Sequence, residues 1–308
     1  MSAIHDHEKT SLRLRGKRDF GKRRIDWVPL VLLSPLLISL LVFFIIPLTR
    51  SVLISFYKFT GPTAYDDNSL TFVNYIRFLF DPFYLGILWR TIKVSLLTTI
   101  FCLLIGYPVA YYMTKLDDFK QRLYMLIYLA PWMVNIVVKA FGWRLLLAKT
   151  GYINQILLSL GLINQPLTLM FNEFGIIVAL IHGEIVFAIM PIFASLISID
   201  PNLSWAAANL GAKPWQVFTK ITFPLSLPGV VAGSVIVFTM SMAAYTTPAL
   251  LGGARARVMS YLAYEQNIQL LDWPFGSAIA VILVITTLIM LQVYQKMMAS
   301  GQWKVILK

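Results

Sequence analysis

The chain has 308 residues, of which 58% are hydrophobic and only 13% charged, with a mean hydropathy of +0.73 and a formal net charge of +12. That composition excludes an ordinary soluble domain of this length. The positive balance is no nucleic-acid surface either: eight of the 26 Lys and Arg (Lys9, Arg13, Arg15, Lys17, Arg18, Lys22, Arg23, Arg24) sit together just before the first apolar run, the pattern of a topology signal.

Six runs carry no charge, at 28–49, 94–114, 123–138, 185–199, 221–254 and 273–295. A helix crossing the hydrocarbon core needs ~20 apolar residues, so an all-α membrane protein with six transmembrane helices is expected, the two shorter runs being completed by their neighbours. The basic tail, 1–27, is placed in the cytoplasm by the positive-inside rule, with Trp27 at headgroup depth and the tail suited to anionic lipid. Span one covers about 28–48; its run exceeds a signal-peptide core and has no small-x-small cleavage pattern. Pro29 and Pro35 are tolerated there because neighbouring helices can satisfy the freed carbonyls. An external segment follows at about 55–85, with turn signals at Gly61-Pro62 and Asp66-Asp67-Asn68-Ser69.

Span two is expected at about 91–114, a cytoplasmic turn at 115–122 and span three at 123–147. Span three holds Pro131, Asn135 and Lys139, so part of it must face protein or water. Gly151-Tyr152-Ile153-Asn154-Gln155 starts an external amphipathic helix closed by Asn164-Gln165-Pro166. Span four, about 174–199, carries His182 and Glu184. Span five covers about 225–243, and the stretch from Tyr245 to Gly253 after it is too rich in Pro and Gly for a continuous helix. Broken backbone at membrane depth is allowed only where it is buried in protein or lines a cavity, which makes this stretch a candidate gate. Asp272-Trp273-Pro274-Phe275-Gly276 opens span six, ending near 294, and six spans return the C-terminus, with Lys296, Lys304 and Lys308, to the cytoplasm.

Between spans four and five lies Trp205-Ala206-Ala207-Ala208-Asn209-Leu210-Gly211, then Lys213-Pro214 and Ile221-Thr222-Phe223-Pro224. The alanines form a smooth helix, Gly211 ends it in the left-handed region, and Pro214 opens a second helix. The product is a helix-turn-helix elbow on the cytoplasmic surface. This spacing resembles the Glu-Ala-Ala-x3-Gly-x9-Ile-x-Leu-Pro loop in the permease subunits of binding-protein-dependent ABC importers, matched here by Trp205, Ala206, Ala207, Gly211, Ile221, Phe223 and Pro224. The resemblance implies the type I importer permease fold and a coupling role for these seven residues, docked on an ATPase subunit. Trp205 departs from the family's glutamate and implies apolar packing at that point. Also implied are a second permease subunit in a heterodimer, two ATPase subunits that bind the ATP, and a periplasmic solute-binding protein. The expected regions are the tail 1–27, a first helix and external segment 28–89, a transmembrane core 90–296 with its coupling loop at 200–225, and a tail 297–308.

Phe72-Val73-Asn74-Tyr75 is similar to an element preceding the second span in these permeases. Gly151-Tyr152-Ile153-Asn154, Thr247-Pro248-Ala249-Leu250-Leu251-Gly252-Gly253 and Asp272-Trp273-Pro274-Phe275-Gly276 resemble the spermidine/putrescine branch. A polyamine is therefore the implied solute, with opine-like compounds, phosphonates and iron carriers in the same branch.

Candidate pathway residues are Lys139, Glu184, Tyr245, Pro248, Asp272 and Trp273. An ionisable group inside a span costs ~2.5–3.5 kcal/mol on insertion scales. Glu184 therefore either attracts a cationic solute, pairs with Lys139, or bonds backbone at a helix contact. Tyr245 and Trp273 offer cation–π faces or interface anchors. Asp272, Arg255 and Arg257 read as solvated loop charges or contacts for a docked binding protein. His182 lies on a different helical face from Glu184, as a packed or interfacial side chain.

The chain has no Gly-x4-Gly-Lys-Ser/Thr, so it holds no ATP by a P-loop. The one cysteine, Cys102, supports no disulfide or thiolate metal site, and His182-Gly183-Glu184 lacks zinc-protease spacing. No catalytic, cofactor or metal residues are expected. Two rivals remain, an ion-coupled secondary transporter with Lys139, His182 and Glu184 as a relay, and an intramembrane enzyme, for which no nucleophile–base pair is assembled.

Overall fold

A computed structural model describes residues 27–62 and 64–299. The basic cluster Lys9 to Arg24, together with Lys304 and Lys308, on which the orientation expectation leans, lies outside the described residues, as does the placement of the Trp27 side chain. The described residues fall into two compact units that divide between Arg50 and Ser51. The first contains α1 (Trp27–Leu40) and most of α2 (Ile46–Ile54), joined by a π-helical turn at Leu41–Ile45. Pro35 is accommodated inside α1.

The second unit begins with an antiparallel hairpin, β1 (Tyr57–Gly61) and β2 (Ala64–Leu70), a small addition to the all-α expectation. Tyr57 and Tyr65 stack at 5.3 Å. Helix α3 (Val73–Phe80) is fastened to the hairpin by the Phe-x-Asn-Tyr residues. The buried Asn74 side chain donates to the Ser55 and Tyr57 carbonyls, both at 2.9 Å, and the Tyr75 hydroxyl lies 2.6 Å from Ser55 Oγ.

Helix α4 (Pro82–Met113) begins well before the expected 91, because Asp81 caps it by accepting from the Phe83 N–H at 2.8 Å and Pro82 fills its first position. Its 32 residues are more than enough to cross a bilayer. The expected third span is two helices, α5 (Asp118–Met133) and α6 (Ile136–Leu147). The chain bends by 90° at the break, where the Asn135 side chain caps the new helix by accepting from the Val137 N–H at 2.8 Å. The expected external helix is α7 (Tyr152–Ser159). Then come α8 (Glu173–Ile197), α9 (Pro201–Asn209), α10 (Pro214–Val217), α11 (Phe223–Ala243), α12 (Thr246–Leu251), α13 (Met259–Tyr264) and α14 (Trp273–Ala299). Among the described residues, five helices or continuous helical runs are long and apolar enough to cross a membrane, and the bent pair Asp118–Met133 and Ile136–Ser159 makes a sixth if it counts as one span.

Helix α8 is the centre of this unit, packed against both α4 and α11. Near one end Ala110, Met113, Ile189, Ile192, Phe193 and Leu196 form an apolar cluster. Near the other end of α4, Tyr84 and Ile87 join Phe78, Met259, Leu262, Phe275 and Ile279. Glycines set the helix spacing. A Cβ on Gly229 of α11 would overlap the Pro191 carbonyl and lie 2.6 Å from Ser195 Cβ and 2.9 Å from Ile192 Cα, while one on Gly233 would lie 3.1 Å from Ala188 Cα. Close backbone approach of this kind drives helix association where lipid removes the hydrophobic incentive.

Gly229→Ala should therefore overpack the α8–α11 contact by about 1–3 kcal/mol. We expect a lower melting temperature of the purified protein in detergent, measured by intrinsic fluorescence. Gly142→Ala, where nothing lies within 4 Å of the new methyl, should leave the melting temperature unchanged.

Candidate functional site

At one end of α8 the chain turns directly into the elbow. Asp200 caps α9 by accepting from the Asn202 N–H at 2.9 Å, with Pro201 at the first position. The helix closes with both bonds of a Schellman motif, Ala212 N–H to the Ala207 carbonyl at 3.0 Å and Gly211 N–H to the Ala208 carbonyl at 2.9 Å. Gly211 has φ +85°, with open space where a Cβ would stand, so glycine is required there by backbone conformation rather than by crowding. The Lys213 N–H donates to Gln216 Oε1 at 2.9 Å and Pro214 opens α10.

The elbow presents apolar side chains to its surroundings. Trp205 is 66% exposed, Leu210 90% and Trp215 66%, and Ala206 is exposed as well. Between the two short helices runs a groove of about 310 Å³ lined by Ala207, Leu210, Gly211, Val217, Lys220 and Ile221 among others. A cluster of large exposed apolar groups around a notch, with Trp205 and Leu210 outside the membrane-length runs, suits a protein contact.

Behind the elbow, Phe218–Thr222 forms a π-helical turn leading into α11, with Pro224 just beyond it and unable to donate a backbone hydrogen bond. The Phe218 ring meets Tyr107 at 5.9 Å and Tyr111 at 5.5 Å, both edge-on, and Phe223 packs on Tyr107 at 5.5 Å. The Tyr107 hydroxyl lies 2.9 Å from Ser226 Oγ. The elbow is thereby joined to α4 and α11 through one aromatic cluster.

Within the spans, the α5–α6 bend opens a cavity of about 280 Å³ against α8, α11 and α12, lined by Trp132, Lys139, Trp143, Gly183, Glu184 and Thr247 among others. Glu184 is 7% exposed and accepts a hydrogen bond of 2.5 Å from Ser241 Oγ. Lys139 Nζ lies 3.7 Å from the place a Gly183 Cβ would take, which sets the ammonium beside α8 next to Glu184. Lys139 and Glu184 thus share the cavity, but the hydrogen-bond partner of the carboxylate is Ser241, not the ammonium or a backbone group. His182 faces away, as expected, and accepts from Trp143 Nε1 at 3.4 Å.

The other four pathway candidates stand apart from this cavity lining. Tyr245 stacks on Tyr261 at 6.3 Å and packs on Tyr264 at 4.8 Å. Pro248 is buried in α12, where its carbonyl accepts from the Gly252 N–H at 2.8 Å. Trp273 donates to the Asn267 carbonyl at 3.1 Å. Asp272 is not a solvated loop charge. It is 6% exposed, bonds Arg77 at 3.1 Å, and accepts from the Phe275 N–H at 3.1 Å at the start of α14. Arg257 likewise pairs with Glu265 at 3.2 Å, whereas Arg255 is exposed. Sequence reasoning missed Thr247, Trp132 and Trp143 of the cavity lining and Ser241, the partner of Glu184; Thr247 alone had a signal, as a member of the broken stretch after α11.

Several membrane-length helices around a cavity that holds Lys139 and Glu184, ending in an exposed apolar elbow, suit a transport component. The family described as "Binding-protein-dependent transport system inner membrane component" matches residues 102–300. The spermidine/putrescine transport system permease protein PotB of Escherichia coli (strain K12) is 34% identical over 224 residues, covering 73% of this chain and 81% of that protein. PotB of Haemophilus influenzae is 30% identical over 262 residues, covering 85% and 91%. In structure, a chain of a bacterial alginate ABC transporter in complex with alginate pentasaccharide-bound periplasmic protein superimposes with a TM-score of 0.72 at 19% identity, covering 91% of this chain and 96% of that one. A chain of the MetNI methionine ABC transporter does so with 0.54 at 18% identity, covering 70% and 97%. The chain belongs to the family of binding-protein-dependent transport system inner membrane components. It is a multi-pass inner-membrane permease with the ABC importer permease fold.

The elbow's geometry gives a discriminating pair of substitutions. Gly211→Val places a β-branched residue at positive φ, at a cost of about 1–2 kcal/mol or more in the elbow alone. Gly211→Asn keeps a residue that tolerates that region. We expect the valine variant to reach the membrane in normal amount but lose ATP-coupled uptake, and the asparagine variant to keep most of it, as read by immunoblot and transport assay.

Proposed function

We propose that this permease passes a polyamine, spermidine or putrescine, from an external binding protein to the cytoplasm. It does so together with a second permease subunit and two ATPase subunits. The observation that carries the substrate class is the Glu184 carboxylate held in a cavity between spans and flanked by Trp132 and Trp143. A polyammonium needs anionic oxygen and aromatic faces to replace its water, and the similarity to PotB points the same way. Lys139 is the resident cation of that cavity and balances Glu184 until a solute ammonium replaces it.

The elbow is the ATPase-docking element. Trp205, Ala206, Ala207 and Gly211 form its contact helix and turn, and Ile221, Phe223 and Pro224 form the root that enters α11. With Trp205 where related loops carry glutamate, docking relies on apolar burial. ATP-driven closure of the ATPase pair moves the elbow, and the aromatic cluster at Phe218 passes the motion to α4 and α11. The cavity then opens alternately to the two sides. No side chain of this subunit performs covalent chemistry, and ATP is bound by its partner.

Lys139 supports a second reading, a solute that carries an anionic group, such as an opine-like compound or a phosphonate. Labelled spermidine and putrescine uptake in cells with and without the gene, with unlabelled anionic solutes as competitors, separates the two. The polyamine reading expects uptake to be lost on deletion and unaffected by the competitors. Glu184→Gln should lower uptake roughly tenfold or more, the worth of a charge-assisted contact of about 1.5–3 kcal/mol, while polyamine binding to the external protein is unchanged. Wild-type uptake in that variant would leave Glu184 as a packing residue.

A further inference from the structure

We infer that a pocket at the far end of α8 from the elbow, flanked by Lys149 and Arg255, is a socket for a carboxylate-bearing segment of the solute-binding protein. This rests on the reading above that the elbow meets the ATPase. The 25 residues of α8 place its two ends about 37 Å apart, enough to put them on opposite sides of the bilayer. The socket lies at the Glu173 end and the elbow follows the Ile197 end, so the socket faces the side from which a binding protein delivers solute.

The pocket has a volume of about 800 Å³, and its walls are built in advance. Phe171 is held at φ +61° by its N–H bond of 2.8 Å to the Leu251 carbonyl, and its ring packs on Gly253, itself at φ +57°, where a Cβ would sit 2.9 Å from Phe171 Cδ1. Asn172 caps α8 through the Gly175 N–H at 3.0 Å and donates to the Thr168 carbonyl at 2.5 Å. Glu173 is occupied by Arg90 at 3.2 Å and Lys93 at 2.5 Å. Fixed walls spare a docking partner the ordering cost of making them.

The charge on those walls selects the occupant. Arg77, Arg90, Lys93 and Arg257 all have carboxylate partners. Lys149 and Arg255 are exposed and, among the described residues, form no ion pair. Two uncompensated cations, beside a carboxylate already neutralised, repel a polyammonium and attract an acid. The pocket is therefore not a station for the solute. An acidic side chain on the protein that brings the solute is complementary to it.

The socket's position also gives docking a consequence. One wall is the first turn of α8, which carries Glu184 three turns further on. The other follows α12, which carries Thr247. A partner seated in the socket bears on two of the elements that line the cavity.

The test uses the whole complex, with both permease subunits, the ATPase and the binding protein, reconstituted in vesicles. The quantity read is the binding-protein concentration giving half-maximal stimulation of ATP hydrolysis. Lys149→Glu with Arg255→Glu should raise it about tenfold or more, while basal hydrolysis and the rate at saturation stay near wild type. Lys149→Arg with Arg255→Lys should restore it. In the wild type it should rise with ionic strength, and in the double reversal this dependence should weaken. An unchanged half-maximal concentration in the double reversal overturns the proposal, as does an effect that follows the anionic-lipid content of the vesicles instead of the binding protein. A wild-type complex with no response to binding protein at all would contradict the importer reading itself, a failure distinct from that of the socket.

Discussion

Close backbone contact between α8 and α11 is the constraint on which the other features depend. At Gly229 there is no room for a methyl group against Pro191, Ile192 and Ser195 of α8, and an ideal Cβ on Gly233 would lie tightly at 3.1 Å from Ala188 and one on Gly106 of α4 at 3.3 Å from Ile189. Apolar side chains gain nothing by leaving lipid for one another, so dispersion between closely approaching backbones must hold the helices. This packing makes α8 the central strut of the unit. Glu184 lies along it, the elbow follows one end, and the first turn of the other end forms part of a charged pocket.

The irregular joints are placed at the margins of α8. The α5–α6 bend, the break between α11 and α12, and the π turn at Phe218–Thr222 are departures from regular helix next to the cavity or the elbow. Such irregular backbone survives between spans only where protein or water satisfies its polar groups. Here the Asn135 cap, and at the α11–α12 break the Ala244 N–H bond to the Ser241 carbonyl and the Ser260 hydroxyl bond to the Ala244 carbonyl, supply that satisfaction. A closely packed centre with irregular margins suits a component that changes which side its cavity faces.

The elbow could be read almost residue by residue, because its geometry is local. An alanine run, a glycine and a proline at fixed offsets dictate cap, left-handed turn and restart, and the Schellman bonds at Ala207 and Ala208 follow from them. Glu184 could be singled out because a carboxylate in an apolar span is costly. Its partner could not, since Ser241 lies 57 residues away and nothing in a single sequence marks pairing between helices. The hairpin at 57–70 was also hidden: Asp66, Asp67 and Asn68 are poor strand formers, and pairing with β1 and the Tyr57–Tyr65 stack hold them in place. Two of the motifs resembling the polyamine branch contain fasteners: Asn154 ties α7 to the Ala148 and Leu167 carbonyls at 3.0 Å, and Asp272 both pairs and caps, while the third contributes Thr247 to the cavity lining.

The central claim is that motion at the elbow changes the side to which the cavity opens. Cys102, the single native cysteine, is buried, so a cysteine introduced at Thr247 can be followed alone. The most direct measurement is its labelling by a membrane-impermeant thiol reagent added outside, in the assembled complex, with and without ATP trapped in the ATPase. The account predicts slow labelling without nucleotide and fast labelling in the trapped state, with the difference abolished when Gly211 is replaced by valine. Equal labelling in both states, or a difference that survives the valine substitution, would contradict it.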